Sequence, residues 1–304
     1  MSPATRILTE LRQNRLFAAL ADAELERLRP LLEPVQWRIG QVLCESGAPL
    51  THVYFPTTAI VSLLYMTQDG GSAEVAVVGS DGVVGVSLFM GGNATPSQAV
   101  VQGAGNGFRM RAEAVREEIE RAGPALQMML RYAQAMIAQV AQTAMCNRYH
   151  SIDQQLARRL LLALDHSPSD DVAMTQEALA HLLGVRREGV TAAALKLQTA
   201  GVIRYSRGHI AVLDRARLEH HTCECYGVVR KEYDRLLPAL PLQAMATPQP
   251  VPAGHGRSFE TPPPASFPPA AEIRLVETIM PVFDGLSIWS ALGRRRDVEP
   301  VAAV

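Results

Sequence analysis

The sequence changes its character near residue 112, and this change limits the folds open to the chain more than any other feature. Residues 37–111 carry short apolar runs such as HVYF, AIVSLLYM and EVAVVG, which Gly, Pro, Asn and Asp separate. Runs of this kind predict short strands joined by tight turns. From residue 112 onward the apolar residues recur at helical spacing instead. The order predicts an α+β chain that begins with a jelly-roll-like β-roll and continues with helices.

Helices flank the predicted β-roll. On its N-terminal side, leucines at helical spacing predict one short helix over residues 14–29, which Pro30 and Pro34 close. Within the roll, the run GVVGVSLF is interpreted as a further strand, and residues 68–71 as a hairpin tip. On its C-terminal side, EAVREEIERAG predicts a helix that ends near Gly123. The predicted roll domain therefore covers residues 14–122.

A long helix is predicted over residues 123–150. Six of its apolar or small residues follow a 4-3-4-3-4 spacing, which is the spacing of a coiled-coil seam. They are Leu126, Leu130, Ala133, Ile137, Val140 and Ala144. We interpret this seam as a dimerisation interface between two parallel copies of the chain. A core helix within a domain of its own would produce a similar pattern and is the alternative.

Residues 151–237 are predicted to form a helical domain with a helix-turn-helix and a following β-hairpin, the wing. A hydroxyl at Thr175 is suited to cap the first helix, and Gly184 permits the tight turn between the two helices. Small residues are expected where the helices nearly touch. The residues predicted to face inward are Leu179, Ala180, Leu183, Val190 and Leu195.

The second helix of this pair opens at Arg186 and carries Arg187 and Glu188 near its N-terminus, the end that a recognition helix directs at base edges. Arginine binds guanine O6 and N7 in a bidentate manner, and a carboxylate accepts from cytosine N4. Arginines of the hairpin are suited to phosphate oxygens. The predicted DNA-contacting residues are Thr175, Gln176, Arg186, Arg187, Glu188, Thr191, Arg204, Arg207 and His209. Taken alone, the arginine pair would also fit an ordinary solvated helix.

The bulk charge does not indicate a nucleic-acid-binding protein, because 29 Lys and Arg balance 30 Asp and Glu. A DNA-binding surface must therefore be a local basic patch. The N-terminus lacks the apolar stretch of a signal peptide or membrane span, which predicts a cytoplasmic protein without a membrane partner. The sequence contains no P-loop, G-x-S-x-G or H-E-x-x-H motif, so no enzymatic activity is expected.

The four cysteines are too few and too scattered for a disulfide framework, which suits a reducing compartment. The run HHTCEC, residues 220–225, contains residue types that bind zinc. A Cys-x-Cys pair on a helix, however, points its side chains about 200° apart, so we predict neither a metal nor another cofactor. An iron–sulfur cluster needs about four thiolates. Only Cys44 precedes the long helix, which excludes a cluster there unless two chains share one.

Residues 14–237 resemble the Crp/Fnr superfamily of bacterial transcription regulators. The segments that carry the resemblance are MTQEALAHLLGVRREGVTAAALKLQTAGVIRYSRGHIAVLDR and, leading into it, AQVAQTAMCNRYHSIDQQLARRLL. The resemblance implies a cyclic-nucleotide-binding-type sensor roll, a dimerisation helix and a winged helix-turn-helix that reads a two-fold-symmetric operator. Implied partners are double-stranded DNA, a second copy of the chain and RNA polymerase. Arg187 and Glu188 fall on the family's base-contacting Arg and Glu, whereas Ala192 replaces its second arginine.

The predicted roll departs from the family members that bind cyclic nucleotides. Those members hold the cyclic phosphate with a Gly-Glu and an Arg-Ser/Thr pair, but the matching stretches here are GVVGVSLFM and TPSQAVV. A buried phosphate without a cationic partner is costly, so we expect an effector other than a cyclic nucleotide. If a ligand enters the roll, the residues that mark the corresponding place are Gly82, Gly85, Ser97 and Gln98.

A tail rich in Pro and Ala, residues 238–304, completes the predicted organisation. We expect it to be mostly disordered, because its Pro-rich part, residues 238–269, cannot offset the entropy of ordering. The run EIRLVETIMPVFDGLSIWSAL after it is apolar enough to form a short docking element. The predicted function is that of a homodimeric, sequence-specific DNA-binding transcription regulator. The alternative is a ligand-binding sensor or adaptor that signals through protein partners.

Overall fold

The computed structural model of the chain describes residues 3–167, 171–206 and 208–237. The tail predicted over residues 238–304 lies outside the described residues, as does Arg207 of the predicted wing. The α+β prediction is confirmed, since a β-roll is followed by helices and a small second sheet. None of the helices in the described ranges combines the length and hydrophobicity needed to cross a membrane.

The roll is built from the strands β1 (Glu33–Trp37), β2 (Val42–Cys44), β3 (His52–Pro56), β4 (Ile60–Met66), β5 (Ser72–Val78), β6 (Gln98–Gly103) and β7 (Gly105–Arg111). They form two antiparallel sheets with the orders β1-β7-β3 and β2-β6-β4-β5. The turn predicted at residues 68–71 joins β4 to β5, with Gly70 at a φ of 86°. Val53, Val61 and Val101 are fully buried in the roll, as expected for strands that direct alternate side chains into a core.

The run GVVGVSLF does not form the strand that its composition suggests. Its second half is a 3-10 helix, Val86–Met90, with Gly85 and Gly91 on either side at φ values of 91° and 85°. Glycine reaches this left-handed region without the steric cost that a Cβ imposes. Two such residues turn the chain out of the extended conformation, so the strand prediction is wrong here.

The single helix predicted over residues 14–29 is also wrong, because this range forms two separate helices and a third helix precedes them. They are α1 (Pro3–Leu11), α2 (Arg15–Ala18) and α3 (Asp22–Leu28). Asn14 accounts for the separate start of α2, because its side chain accepts the Leu16 N–H at 3.0 Å. The same side chain donates to the carbonyl oxygens of Pro56 and Gly82, at 2.8 and 2.9 Å. Asn14 therefore both caps α2 and attaches it to the roll.

Two helices follow the roll, α4 (Ala112–Arg121) and α5 (Pro124–Tyr149). Ala122 ends α4 with a positive φ of 52°, and Pro124 occupies the first position of α5, where a missing N–H costs nothing. From there α5 continues without interruption for 26 residues. Both the break near Gly123 and the long helix after it are therefore present.

Residues 151–237, the C-terminal lobe, contain the winged helix-turn-helix. The elements of this lobe are α6 (Ile152–Asp165), β8 (Asp171–Ala173), α7 (Gln176–Leu183), α8 (Arg187–Thr199), β9 (Ile203–Ser206), β10 (His209–Val212), α9 (Arg215–His221) and α10 (Glu224–Leu236). Its strands form an antiparallel sheet in the order β8-β10-β9. The sequence predicts the β9–β10 hairpin but not β8, which is too short to show an alternating pattern.

The C-terminal lobe packs directly on the roll. Ile60 and Val77 of the roll belong to the same buried apolar cluster as Leu160 of α6. In the other direction, Tyr233 of α10 joins the core of the roll, and its ring meets that of Tyr132 on α5 edge-on at a centroid distance of 6.3 Å. These two contacts position the helix-turn-helix next to the roll.

Candidate nucleic-acid interface and effector cavity

The turn between α7 and α8 has the geometry that its residues predict. The Thr175 hydroxyl accepts the Ala178 N–H at 3.1 Å, which satisfies one of the donors left unpaired at a helix start. Gly184 ends α7 with a φ of 64°, a conformation that favours glycine. The Val185 N–H then returns to the Ala180 carbonyl oxygen at 3.0 Å. Local backbone hydrogen bonding therefore closes the turn and brings the two helices together.

Four of the five residues predicted to face inward are buried or half-buried, namely Leu179, Ala180, Leu183 and Val190. Leu195 is a wrong prediction, since 62% of its surface is exposed. It lies five residues after Val190, which corresponds to about 140° around a helix. Leu197 lies seven residues after Val190, on nearly the same side, and is buried. Leu197 therefore occupies the core position assigned to Leu195.

The start of α8 presents charge to solvent. Arg186, Arg187 and Glu188 are all exposed. Arg186 stands at the N-cap position but makes no side-chain capping hydrogen bond, so the first N–H groups of the helix keep their capacity to bind an acceptor. The positive end of the helix dipole and two guanidinium groups thus coincide, an arrangement that favours anions such as phosphate.

Side chains link the start of α8 to the start of α7. The Thr191 hydroxyl donates to Gln176 Oε1 at 2.7 Å, and Arg187 Nε lies 3.8 Å from Glu177 Oε2. The structure thereby brings Gln176, Arg187 and Thr191, three of the predicted DNA-contacting residues, to one surface. None of these three side chains is fully buried, so each of them can contact a ligand.

The wing lies beside the same surface. Arg204 on β9 and His209 on β10 are exposed, and His209 Nδ1 lies 3.5 Å from Asp171 Oδ2 on β8. A Cβ added to Gly208 would meet the Thr175 methyl group at 3.4 Å. The turn of the wing therefore touches the cap of α7, and the predicted residues of the wing and of the two helices form one continuous surface.

The predicted seam of α5 is largely exposed in the single chain. The exposed members are Leu130, Ile137, Val140 and Ala144. Ile137 has 63% of its surface exposed, so it is not a core residue of its own chain. Leu126 is half-buried against the core of the roll. Ala133 is only 5% exposed, so its methyl group is not available to a second chain. The prediction that Ala133 belongs to the dimerisation interface is therefore wrong.

A cavity of about 390 Å³ lies between the roll and α5. Met136 and Val140 of α5 contribute to one wall, and Gly85 and Ser97 of the roll line another part. Cavities of this size accept small molecules. Two of the four residues predicted to mark an effector site therefore line a cavity, which also contacts the helix that carries the seam.

The other two predicted effector residues do not line this cavity. A Cβ at Gly82 would lie 2.4 Å from the Tyr132 hydroxyl oxygen, so this glycine permits close packing of the roll on α5. Gln98 donates from Nε2 to Glu45 Oε2 at 2.7 Å, in an exposed hydrogen bond. The prediction is therefore corrected to Gly85 and Ser97.

The cavity has an uncharged wall. Its apolar side chains are Leu63, Tyr65, Val75, Val84, Val86, Met90, Ala99, Met136 and Val140. Among the described residues, the lining includes no Lys, Arg, His, Asp or Glu. The Ser97 hydroxyl is hydrogen-bonded to that of Thr95 at 2.9 Å, and burial raises the pKa of the Cys44 thiol to about 11, which keeps it neutral. An apolar, uncharged ligand suits this wall better than an anion.

One cluster of metal-ligating side chains was not predicted from the sequence. One ligand atom from each of Cys146, His150, Cys223 and Cys225 lies within 4.8 Å of all the others. The expectation that Cys223 and Cys225 diverge on a helix is wrong, because α10 begins only at Glu224 and Cys223 has extended backbone, with a ψ of 170°. The missed signal is Cys-x-x-x-His at the end of α5, since residues four apart share one face of a helix.

Two family models match the chain. The cyclic nucleotide-binding domain matches residues 34–122, and the Crp-like helix-turn-helix domain matches residues 154–221. Together they account for just over half of the chain. No curated protein matches the chain in sequence.

Solved structures share this architecture. A Crp/Fnr-family transcriptional regulator from Eubacterium rectale is 18% identical, with 67% of this chain and 96% of that chain covered and a TM-score of 0.54. FixK2 from Bradyrhizobium japonicum is 16% identical, with 63% of this chain and 98% of that chain covered and a TM-score of 0.54. The c-di-GMP-responsive regulator CLP from Xanthomonas campestris is 15% identical, with 64% of this chain and 100% of that chain covered and a TM-score of 0.53. At such identities the similarity shows the fold alone.

Proposed function

Because the chain belongs to the Crp/Fnr superfamily of bacterial transcription regulators, we propose that it binds a two-fold-symmetric operator as a homodimer. The observation that carries this proposal is the exposed start of α8, where Arg186, Arg187 and Glu188 face solvent beside the start of α7. In a helix-turn-helix, this end of the second helix enters the major groove. Arg187 would donate to guanine O6 and N7, and Glu188 would accept from cytosine N4.

The remaining predicted residues of this surface suit the DNA backbone. Thr175 and Gln176 at the start of α7, and Arg204 and His209 on the wing, offer donors to phosphate oxygens. Such contacts add affinity and salt dependence without sequence information. Base readout therefore rests on the first turn of α8, and position along the duplex rests on α7 and the wing.

The second copy of the chain is expected at the exposed stripe of α5. Leu130, Ile137, Val140 and Ala144 would bury against their counterparts in a parallel helix pair. A two-fold axis along this stripe would present two copies of α8 to successive major grooves, about 34 Å apart. The half-sites of the operator should therefore lie about one helical turn apart.

We further propose that the cavity beside α5 binds an uncharged, largely apolar effector. Such a ligand would contact Val140, which belongs to the exposed stripe, and Met136 beside it, and would thereby change how the two copies of α5 pair. An effector acts only if it binds the two arrangements with different affinity.

Operator binding implies a location with the chromosome in the cytoplasm. Activation would proceed through RNA polymerase, and repression through occlusion of the promoter; no enzymatic step is required.

The DNA proposal predicts that Arg187→Ala weakens operator binding by about 1–3 kcal/mol, because a bidentate base contact is lost. The measurement is a gel shift over graded protein concentrations, with a promoter fragment from upstream of the protein's own gene. Glu188→Ala should relax the preference at a different base pair. The matched control is Arg116→Ala on α4, which removes an exposed arginine outside the C-terminal lobe and should leave the affinity unchanged.

Specific binding that survives both Arg187→Ala and Glu188→Ala would contradict the recognition-helix assignment. Absence of specific binding by the unaltered protein would instead favour a sensor or adaptor that signals through protein partners. A salt titration separates the two kinds of contact, because loss of Arg204 should reduce the salt dependence by about one phosphate contact.

The cavity predicts that cyclic AMP and cyclic GMP leave the melting temperature unchanged, because the described wall offers no cation to the phosphate. Thermal-shift measurements over a range of nucleotide concentrations test this. A ligand at 100 times its Kd would stabilise the native state by about 2.7 kcal/mol, so real binding would be visible. A saturable increase with either nucleotide would overturn the prediction.

A further inference from the structure

Four side chains at the end of α5 and the start of α10 have the composition of a structural zinc site, and we propose that they bind one Zn²⁺ ion per chain. Cys146 lies on α5 and His150 directly after it, while Cys223 and Cys225 flank the first residue of α10. Three thiolates and one imidazole form a known donor set for structural zinc. The proposed site is separate from both α8 and the cavity beside α5.

The distances between the ligand atoms suit one tetrahedral ion. With Zn–S bonds of about 2.3 Å, two sulfur ligands lie about 3.8 Å apart. Cys146 Sγ and Cys223 Sγ are 3.6 Å apart, and Cys225 Sγ and His150 Nδ1 are 3.4 Å apart. All four ligand atoms are within 4.8 Å of one another. A single ion among them can therefore contact all four after small side-chain movements.

The backbone holds these ligands in place. The His150 N–H donates to the Cys146 carbonyl oxygen at 3.0 Å, which closes the last turn of α5. Gln155 of α6 donates from Nε2 to the His150 carbonyl oxygen at 2.9 Å. On the other side, the extended conformation of Cys223 directs its thiol toward Cys146 before α10 begins. Two ligands thus come from each of two chain segments, as is common for zinc sites.

Neighbouring groups support a charged site. Gln142 donates from Nε2 to Cys225 Sγ at 3.1 Å, a hydrogen bond that favours a thiolate. The imidazole of His150 directs Nδ1 at Cys225, while its Nε2 lies 3.4 Å from Glu224 Oε1. A carboxylate behind a metal-bound histidine fixes the ring and raises its basicity. The second nitrogen of His150 therefore has the partner that a zinc ligand requires.

A buried arginine supplies a second, independent observation. Arg158 of α6 is 6% exposed and donates from Nη2 to Thr143 Oγ1 at 2.9 Å. Within the described part of the chain, no carboxylate oxygen lies within 4.0 Å of its guanidinium. Burial raises the pKa of the Cys146 thiol, and the positive charge of Arg158 opposes that rise. A Zn²⁺ ion with three thiolates carries a net charge of −1, which would give this buried cation an opposite charge nearby.

The arrangement favours a closed, single-ion site over the other uses of clustered thiols. The three cysteines are buried, and four protein ligands leave no position for water, which is typical of structural rather than catalytic zinc. The four ligands of an iron–sulfur cluster are divided among two or more irons, so they would not all lie as close to one another as these four do. A disulfide would leave one of the three thiols over and is disfavoured in a reducing compartment.

The proposed ion would connect two parts of the fold. His150 adjoins Ser151, which caps α6, so the ion would hold the start of α10 against the junction between α5 and the C-terminal lobe. Metal ligation of this kind stabilises the folded state, because the unfolded chain has no preformed site. Removal of the ion should therefore loosen α10 and lower the Tm of the whole chain.

The first test uses the full chain, purified without chelator and analysed for metals by mass spectrometry. The expected result is one zinc per chain. Replacement by Co²⁺ should give the absorption of a tetrahedral ion together with thiolate-to-metal charge transfer. A strong chelator should lower the Tm, and Zn²⁺ but not Mg²⁺ should restore it, because thiolates select zinc.

The second test compares variants inside and outside the cluster. Cys146→Ser and His150→Ala should reduce the zinc content at least about tenfold at a fixed low concentration of free metal. The matched control is His220→Ala, since His220 lies in the same HHTCEC run but is exposed and pairs with the Ala216 carbonyl oxygen at 2.7 Å. This variant should keep one zinc per chain.

The proposal is overturned if the unaltered protein contains no zinc and its three clustered thiols react freely with a thiol reagent. It is equally overturned by iron and sulfide in place of zinc, or by a mass that shows a disulfide among Cys146, Cys223 and Cys225. Should the variants fail to fold, the metal content, cobalt spectrum and chelator response of the unaltered protein decide the matter. None of these measurements depends on DNA binding.

Discussion

Replacement of Glu74 by Gln is expected to lower the free energy of unfolding by about 3–5 kcal/mol, the usual cost of removing one partner of a buried ion pair. Glu74 lies on β5 and Arg159 on α6, with 7% and 3% of their side chains exposed. Arg159 Nε is 2.7 Å from Glu74 Oε1, and the Ser62 hydroxyl donates to the other carboxylate oxygen. Glutamine keeps the size of the side chain but leaves the buried guanidinium without an opposite charge.

The measurement is urea unfolding followed by far-ultraviolet circular dichroism. The matched control is Lys196→Ala, which breaks the exposed pair between Lys196 Nζ and Asp153 Oδ2 at 2.7 Å. Exposed pairs contribute about 0.2–1 kcal/mol, so this variant should change little. The double replacement Glu74→Leu with Arg159→Met should recover most of the loss, because it removes both buried charges. If Glu74→Gln costs no more than Lys196→Ala, the pair does not hold the roll and the C-terminal lobe together.

Ile137→Asp is expected to convert a dimer to a monomer and to weaken self-association at least about a hundredfold, or about 2.8 kcal/mol. The side chain is 63% exposed in the single chain, so the fold of the monomer should tolerate the change. In a parallel helix pair the two copies of residue 137 would lie near the two-fold axis. Two carboxylates would then be buried side by side without a cation, which is strongly unfavourable.

Sedimentation velocity over a range of protein concentrations measures this effect. The matched control is Leu213→Asp, which introduces the same charge at a leucine that is 55% exposed outside α5. That variant should remain dimeric. Affinity for a two-fold-symmetric operator should decrease with Ile137→Asp even though α8 is unchanged, because two half-sites are then no longer bound together. A strictly monomeric unaltered protein, or a dimer that persists with Ile137→Asp in both chains, would contradict the α5 interface.

Signals that act within a few residues were sufficient to predict much of this protein. Strand-like runs followed by helical spacing indicated the order of the two lobes, and Thr175 and Gly184 identified the ends of α7. These signals work because a cap hydroxyl or a positive φ acts on its own turn and needs no distant partner. The break before α5 could be predicted for the same reason.

Errors arose where the sequence pattern did not show the local backbone conformation. Gly85 and Gly91 turn a strand-like run into a 3-10 helix, and Asn14 starts a new helix inside a leucine repeat. The apolar pattern places Leu195 in the core, although the helical angle from Val190 directs it to solvent. In each case the composition or spacing fitted the prediction, while a single residue or a helical angle favoured a different outcome.

Contacts between distant segments were decided by the tertiary structure alone. Glu74 pairs with Arg159 across 85 residues of sequence, and Cys146 meets Cys223 only because α10 folds back along α5. The seam spacing did not show that Ala133 faces its own chain. Long-range pairs of this kind form when whole elements pack, so no short-range pattern encodes them. Residue order therefore predicted most of the elements and the turn between α7 and α8, whereas packing produced the ion pair, the cavity and the cluster of four ligands.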